Sequence, residues 1–359
     1  MSARTRSRAD FYPLAVAKVE PLTTDSAAIT FAVPDDLADT FAFAPGQSLT
    51  VRHGGQRRSY SICAPAGPGL PNTAPRIGVR EVAGGAVSGW LVRQVKPGDT
   101  VEVQAPAGRF TPDLSAPAAH VLIAAGSGIT PMMSIAASVL AADTTSTVTL
   151  LYGNRRSDTV MFADEVADLK DAHPARVRIV HVLSREPREV DLYSGRLDAA
   201  RLARLLPVTV DVAAVGQWWL CGPYGMVTDA TEVLRGLGVD AARLHRELFW
   251  VGDQPPPPAV HPEAPTGHGA SVTVILDGRS TTLTLPPGTP VLDGAQRVRP
   301  DLPFACKGGV CGTCRARVVA GTAAMRRNYA LDPPETAAGY ILTCQALPTS
   351  DQITVDYDA

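Results

Sequence analysis

Pro303-Phe304-Ala305-Cys306-Lys307-Gly308-Gly309-Val310-Cys311-Gly312-Thr313-Cys314 is the stretch around which this chain organises itself. It reads C-x4-C-x2-C, and Cys344 follows after a further 29 residues. That is the plant-type spacing for a [2Fe–2S] cluster. Two irons need four thiolates, three from one tight loop and the fourth from a distant segment. Gly308, Gly309 and Gly312 lie among the cysteines. There the missing Cβ lets backbone N–H groups turn toward the sulfurs, which stabilises added negative charge and helps set the potential. Structural zinc sites usually carry two C-x2-C pairs, and only one stands here. No apolar secretory stretch opens the chain, which argues against a disulfide framework. Cys306, Cys311, Cys314 and Cys344 are therefore the expected metal ligands. Cys63 and Cys221 are not.

A cluster of this kind moves one electron at a time, so the rest of the chain must supply and receive electrons. The clearest boundary lies just upstream, at D-Q-P-P-P-P-A-V-H-P-E-A-P-T-G-H (253–268). Six prolines in 16 residues join neither a helix nor a central strand and favour an extended, semi-rigid spacer. The expected organisation is an N-terminal domain over 9–113, a second over 114–252, a Pro-rich linker over 253–270 and the cluster module over 271–359. Residues 11–112 read as short alternating strands broken by Pro and Gly, the pattern of an antiparallel β-barrel. Residues 119–250 alternate apolar strands with helical stretches, the pattern of a parallel-sheet α/β domain. The cluster module opens on a hairpin, Val272–Leu276 and Thr281–Leu285, with Asp277-Gly278 at its turn, and a helix near Val291–Arg297.

Composition narrows the function classes. With 359 residues, 45% hydrophobic and 19% charged, the chain is an ordinary multidomain globular protein. A net charge of −2 gives no bulk attraction to nucleic acid or to an anionic membrane. No apolar run reaches the ~18 residues of a membrane span. Iron–sulfur thiolates fit a reducing, cytoplasmic location.

Two motifs in the first domain point to a flavin. Arg57-Arg58-Ser59-Tyr60-Ser61 carries R-x-Y-S on a strand. Arg58 can fork onto a pyrophosphate, Tyr60 offers a flat face to an isoalloxazine ring, and Ser61 can place a hydroxyl near its N5. By itself the stretch also suits an ordinary strand with one exposed Arg and one buried Tyr. Gly84-Gly85-Ala86-Val87-Ser88 then opens a helical turn. Free N–H groups at such a start bind anions, with Gly85, Val87 and Ser88 as the expected contacts, and Ser88 can equally act as a local cap.

The second domain begins with Ala124-Ala125-Gly126-Ser127-Gly128-Ile129-Thr130-Pro131, between a strand and a helix. Gly126 and Gly128 allow close approach to a dinucleotide pyrophosphate; Thr130 follows, and Pro131 suits the first helical turn. The third glycine of G-x-G-x-x-G is absent, so this is not the dehydrogenase fingerprint. Cys221-Gly222-Pro223 follows the fourth strand of the domain, where an isolated cysteine could equally be inert packing. Trp218 and Trp219 are read as packing residues.

These motifs resemble those of ferredoxin–NADP reductases. The resemblance implies FAD on Arg58, Tyr60, Ser61 and the Gly85–Ser88 loop, and NADPH on the Gly126–Pro131 loop. It places Cys221, Gly222 and Pro223 beside the nicotinamide, and Glu247 and Phe249 on a closing strand beside the flavin. Ser61, Cys221 and Glu247 become the expected catalytic residues. Ser184 and Arg185, with Arg155 assisting, are implied holders of the 2′-phosphate of NADPH. No acidic residue stands where a ribose diol would need one.

Barrel, nucleotide domain and C-terminal ferredoxin, in that order, are similar to reductase components of bacterial oxygenases, in particular reductase subunits of phenylacetyl-CoA 1,2-epoxidase complexes. The likeness runs through L-A-V-A-K-V-E (14–20), I-T-F-A-V-P (29–34), L-Y-G-N-R (151–155), N-Y-A-L (328–331) and A-G-Y-I-L-T-C-Q-A-L-P (338–348). It implies an electron path from NADPH through FAD and the cluster to a di-iron oxygenase partner, the phenylacetyl-CoA epoxidase subunits. Reductases of ring-hydroxylating, demethylating or ketosteroid-hydroxylating oxygenases share the same modules and remain alternatives, as does a non-catalytic redox sensor, which would show eroded flavin motifs.

Overall fold

The structure, a computed structural model, describes residues 10–70, 74–249, 269–331 and 333–359. The expected Pro-rich linker falls almost wholly outside the described residues. Those that are described divide into two compact units, the larger built on two sheets and the smaller on a third.

The first sheet, which belongs to the larger unit except for Phe11 and Arg57–Ser59, is formed by β1 (Phe11–Thr23), β2 (Ser26–Ala32), β3 (Ser48–His53), β4 (Gln56–Ser61), β5 (Arg76–Arg80) and β6 (Thr100–Gln104), with helix α1 (Ala86–Arg93) between β5 and β6. Their order is β4-β3-β6-β1-β2-β5. Just past β4, Ile62 bridges Ile77 of β5, so the two edges meet and the sheet closes as the alternating pattern predicts. Leu14, Ile29, Phe31, Leu49, Val51, Ile62, Ile77, Val79, Val101 and Val103 fill its interior.

The second sheet is parallel. β7 (Ala119–Ala125), β8 (Thr147–Asn154), β9 (Val177–Leu183), β10 (Gln217–Gly222) and β11 (Leu244–Leu248) lie in the order β11-β10-β7-β8-β9. Helices α2 (Ile129–Ala142), α3 (Ala163–Ala172), α4 (Ala199–Thr209) and α5 (Tyr224–Gly236) connect them. Near-continuous apolar runs such as Val121–Ala124 are buried on both faces, as a helix-covered parallel sheet requires. α4 tolerates Pro207 because it sits in the last turn, away from the helix interior. Trp218 and Trp219 are buried, as expected of packing residues.

The smaller unit holds β12 (Ala270–Leu276), β13 (Arg279–Leu285), α6 (Val291–Ala295), β14 (Arg315–Ala320), β15 (Ala323–Met325), α7 (Pro333–Ala337), β16 (Tyr340–Leu342), β17 (Ala346–Pro348) and β18 (Gln352–Asp356). Its main sheet runs β13-β12-β18-β14-β16, and β15 pairs with β17. β12 and β18 are parallel, while β12 and β13 form the expected hairpin. Both turn residues, Asp277 and Gly278, have positive φ (53° and 67°), the geometry a two-residue hairpin turn needs.

Candidate functional site

In the second sheet β7 is central, with β8 on one side and β10 on the other. The crevice beyond the carboxyl ends of β7 and β10 is the topological switch point, where open α/β sheets bind ligands. The sequence places G-S-G after β7 and C-G-P after β10, and the fold brings the two loops into backbone contact. A Cβ on Gly128 would land inside the carbonyl group of Cys221, so only glycine fits. Gly126 adopts φ +55°, and Tyr152 Oη donates to its carbonyl at 3.0 Å. Thr130 is fully buried, its hydroxyl donating to Ser127 O at 2.8 Å. Pro131 lies in the buried first turn of α2. This narrow cradle of backbone is a fit for a dinucleotide pyrophosphate.

The barrel supplies the other wall. Ser61, at the end of β4 and buried, donates from Oγ to Oε2 of Glu247 on β11 at 3.0 Å. Cys221 Sγ is 4.0 Å from the same oxygen. The three expected catalytic residues, 186 positions apart at the extremes, thus converge on one carboxylate. Burial pushes the Glu247 carboxyl up to about 7, against the opposing Ser61 hydrogen bond. Burial first, and then the Glu247 charge, push the Cys221 thiol well above its ordinary value, so it stays protonated. Phe249 N–H donates to Gly222 O at 3.0 Å, which ties the residues after β11 to the C-G-P loop. Pro223 caps the start of α5.

Arg58 and Tyr60 alternate with buried Ser61 along β4, Arg58 exposed and Tyr60 half-buried, so both occupy one face of the strand. Gly85 is the N-cap of α1, and Gly89 N–H is the first to close back onto it. The N–H groups of residues 86–88 therefore have no helical partner and form an anion-accepting end containing Val87. Ser88 has a local job: its Oγ accepts from Val82 N–H at 3.1 Å and contacts Gly85 O at 3.4 Å, which folds the loop.

β8 and β9 continue to pair past their ends. Ser184 N–H donates to Asn154 O at 2.9 Å and Arg185 N–H to Arg155 O at 2.8 Å. That brings exposed Arg155 and Arg185 onto adjacent loops, with Ser184 between. The nearby acid, Glu186, accepts from Ser157 N–H and Oγ at 2.8 and 2.9 Å. These bonds hold its carboxyl below the usual range and bind the two loops together.

In the smaller unit Thr343 N–H and Oγ1 donate to Cys314 O at 3.1 and 2.9 Å, which brings the residue before Cys344 against the loop that carries the other three cysteines. Gly308 N–H points at Cys306 Sγ (3.3 Å), Thr313 Oγ1 donates to Cys311 Sγ (3.1 Å) and Gln345 Nε2 lies 3.6 Å from Cys344 Sγ. The donors suit a cluster that gains negative charge on reduction.

Several contributors carry no mark in the sequence that the motifs would flag. Gln345 also donates to Lys307 O at 2.8 Å, tying the fourth ligand to the loop of the other three; its place directly after Cys344 is the available signal. Arg76 on β5 grips Glu165 of α3 through two hydrogen bonds (2.8 and 2.9 Å) and lies 3.3 Å from Glu20 of β1. Arg80 reaches from β5 to Thr159 O at 2.5 Å. Nothing local marks these arginines, because their partners are remote in sequence.

Comparison with known proteins agrees with this geometry. Residues 13–111 match the oxidoreductase FAD-binding domain, 122–232 the oxidoreductase NAD-binding domain, and 274–349 the 2Fe-2S iron-sulfur cluster binding domain. The chain is 40% identical to a subunit of the 1,2-phenylacetyl-CoA epoxidase of Escherichia coli (strain K12), covering 97% of this chain and 98% of that protein. It is 34% identical to the ferredoxin reductase component of 3-ketosteroid-9-alpha-monooxygenase of Rhodococcus rhodochrous, over 96% of each. The solved structure of phthalate dioxygenase reductase shares the fold, with a TM-score of 0.57 at 22% identity over 96% of this chain and 98% of that one. FAD, NAD(P)H and a [2Fe–2S] cluster are the cofactors.

Proposed function

Because the chain belongs to the family of flavin and iron–sulfur reductase components that serve multicomponent oxygenases, we propose that its partner is the oxygenase component that epoxidises phenylacetyl-CoA and that its electron donor is NADPH. It is an NAD(P)H-dependent oxidoreductase that passes electrons through FAD and the cluster to an oxygenase. The observation carrying the finer reading is 40% identity, sustained over 97% of the chain, to a component of such an epoxidase. The segment 338–348 adds support, because cluster chemistry there requires only Cys344.

When bound, FAD accepts a hydride from the nicotinamide and releases electrons singly to the cluster. The chain's own residues set the conditions for this. Gly126, Gly128, Thr130 and Pro131 seat the dinucleotide. Gly222 and Pro223 shape the nicotinamide side, and the uncharged Cys221 thiol keeps water from the reacting faces. Glu247, with its carboxyl near 7 and joined to Ser61 Oγ, would exchange a proton with the flavin edge through that hydroxyl. Tyr60 would offer its ring face to the flavin and Phe249 would lie beside it, while Arg58, Gly85, Val87 and Ser88 would hold or shape the site for its pyrophosphate. Arg155, Ser184 and Arg185 would take the 2′-phosphate; Glu186 is held by Ser157 through Oε2 alone. Residues 253–270 tether the ferredoxin domain and keep its local concentration high. A cytoplasmic location suits the thiolate ligands.

The test is NADPH oxidation by this protein with purified phenylacetyl-CoA oxygenase subunits, with and without phenylacetyl-CoA. Substrate-dependent NADPH use with epoxide formed supports the reading. Reduction of artificial acceptors with no coupling to that oxygenase moves the partner to another, the 3-ketosteroid hydroxylase type first, given its 34% identity.

A further inference from the structure

The ferredoxin module holds eight acidic and eight basic residues over 271–359, but pairing distributes them unevenly. Arg299 binds Asp301 at 2.9 Å, Lys307 binds Asp293 at 2.8 Å, and Arg315 binds Glu335 at 3.2 Å. Asp358 accepts from the amides of Asp277 and Gly278 at 2.9 Å each, at the tip of the β12–β13 hairpin. Arg326 and Arg327 are exposed, and neither has an ion-pair partner among the described residues.

Their position is specific. They follow β15, which pairs with β17 just beyond the fourth ligand. Arg326 N–H donates to Gln345 O at 2.9 Å, one residue from Cys344. A Cβ on Gly309 would lie 3.2 Å from Arg327 O, and Tyr329 N–H donates to Gly309 O at 3.1 Å. Two guanidiniums with no ion-pair partner among the described residues are therefore carried on backbone rooted beside Cys344 and against the Cys306–Cys311 loop. The one other cation of that loop, Lys307, is matched by Asp293. Arg297 and Arg317 are also exposed without an ion-pair partner among the described residues, so what sets Arg326 and Arg327 apart is their place beside the cluster ligands.

We propose that Arg326 and Arg327 form a docking rim that receives an acidic face of the oxygenase component, placing the cluster against the acceptor. The identity of that acceptor rests on the function proposed above; the sign of the rim does not. Unpaired surface charges act mainly on encounter rate and on rejection of like-charged partners. One electron leaves the cluster, one acceptor centre gains it, and no proton need move.

The test uses the full holoprotein with Arg326→Glu and Arg327→Glu together. Stopped-flow reduction of flavin and cluster by NADPH should match the parent. Slowing there would mean the rim serves the protein's own flavin domain, and would overturn the proposal. Basic cytochrome c, reduced through the cluster, should accept electrons ~10-fold faster from the reversed variant at low ionic strength. Purified phenylacetyl-CoA oxygenase component should bind more weakly without turnover and accept electrons ~10-fold more slowly, the gap closing in high salt. The milder Arg326→Gln with Arg327→Gln should move each reading in the same direction by less. Equal behaviour of parent and reversed variant toward cytochrome c overturns the proposal. A parent that does not couple to this oxygenase, with the cytochrome c inversion intact, removes the named partner and supports the cationic rim.

Discussion

Ser61 on the flavin barrel and Glu247 on the last strand of the nucleotide domain are joined by a 3.0 Å hydrogen bond. The bond crosses from one sheet to the other at the place where the barrel motif, the C-G-P loop and the closing strand meet. Removing it should cost chemistry more than binding. Ser61→Ala is expected to slow flavin reduction by NADPH about 10²-fold with little change in FAD content. Stopped-flow absorbance at saturating NADPH measures it, and a change confined to KM would contradict the role.

Glu247 also predicts a pH signature. Its carboxyl ordinarily titrates near 4.5 and in the fold near 7, so between those values the native state binds more protons than the unfolded chain. Stability from this residue is then fully present below pH 4.5 and is lost as pH rises through 7. His120, lowered to about 4 by burial and then by His245, has the opposite slope, so the variant difference is what must be read. The melting temperature of the parent minus that of Glu247→Gln should fall from pH 4.5 to 7 and level off above. A flat difference would refute the shifted carboxyl.

Gly128→Ala puts a Cβ into the Cys221 carbonyl, a clash of backbone against backbone that no rotamer relieves. We expect about 1–3 kcal/mol of destabilisation and a raised KM for NADPH. Urea unfolding at unchanged m-value checks the first and steady-state kinetics the second.

Coenzyme choice should follow the β8–β9 loops. Loss of a charge-assisted contact is worth about 1.5–3 kcal/mol. Arg185→Ala should therefore weaken NADPH by roughly 10- to 100-fold and leave NADH nearly unaffected. Parallel titrations of the two coenzymes decide it; an equal loss for both would show that the arginine does not read the 2′-phosphate.

Cys344→Ser should abolish the cluster and spare the flavin half. Iron content and the brown absorbance should vanish while NADPH still bleaches FAD at the parent rate. If flavin reduction failed as well, the two halves would not be separable in the way the fold suggests.

The local features of this protein are legible in its sequence. Strand alternation marks the barrel, apolar runs with intervening helical stretches mark the parallel sheet, and Asp277-Gly278 marks the hairpin. The ligand cysteines stand at a fixed spacing. What is not legible depends on distant partners. The grip of Arg76 on Glu165 joins positions 89 residues apart, and no periodicity marks either. Strands β14 to β18 are short and irregular, so tertiary pairing rather than pattern defines them. Ser88 reads equally as a cap or as an anion contact; its hydroxyl closes the loop, because Val82 N–H lies within its reach.

The strand order β11-β10-β7-β8-β9 separates two tasks. The loops after β7 and β10 are locked backbone to backbone at Gly128 and Cys221, and on the proposed function they would govern the reacting end of the coenzyme. Arg155, Ser184 and Arg185 lie on the far side, after β8 and β9, where on the same reading side chains rather than backbone would meet the ligand. On that reading, a lineage carrying this arrangement would drift between phosphorylated and unphosphorylated coenzymes without re-optimising hydride geometry. A protein engineer can treat the far side as a replaceable adaptor.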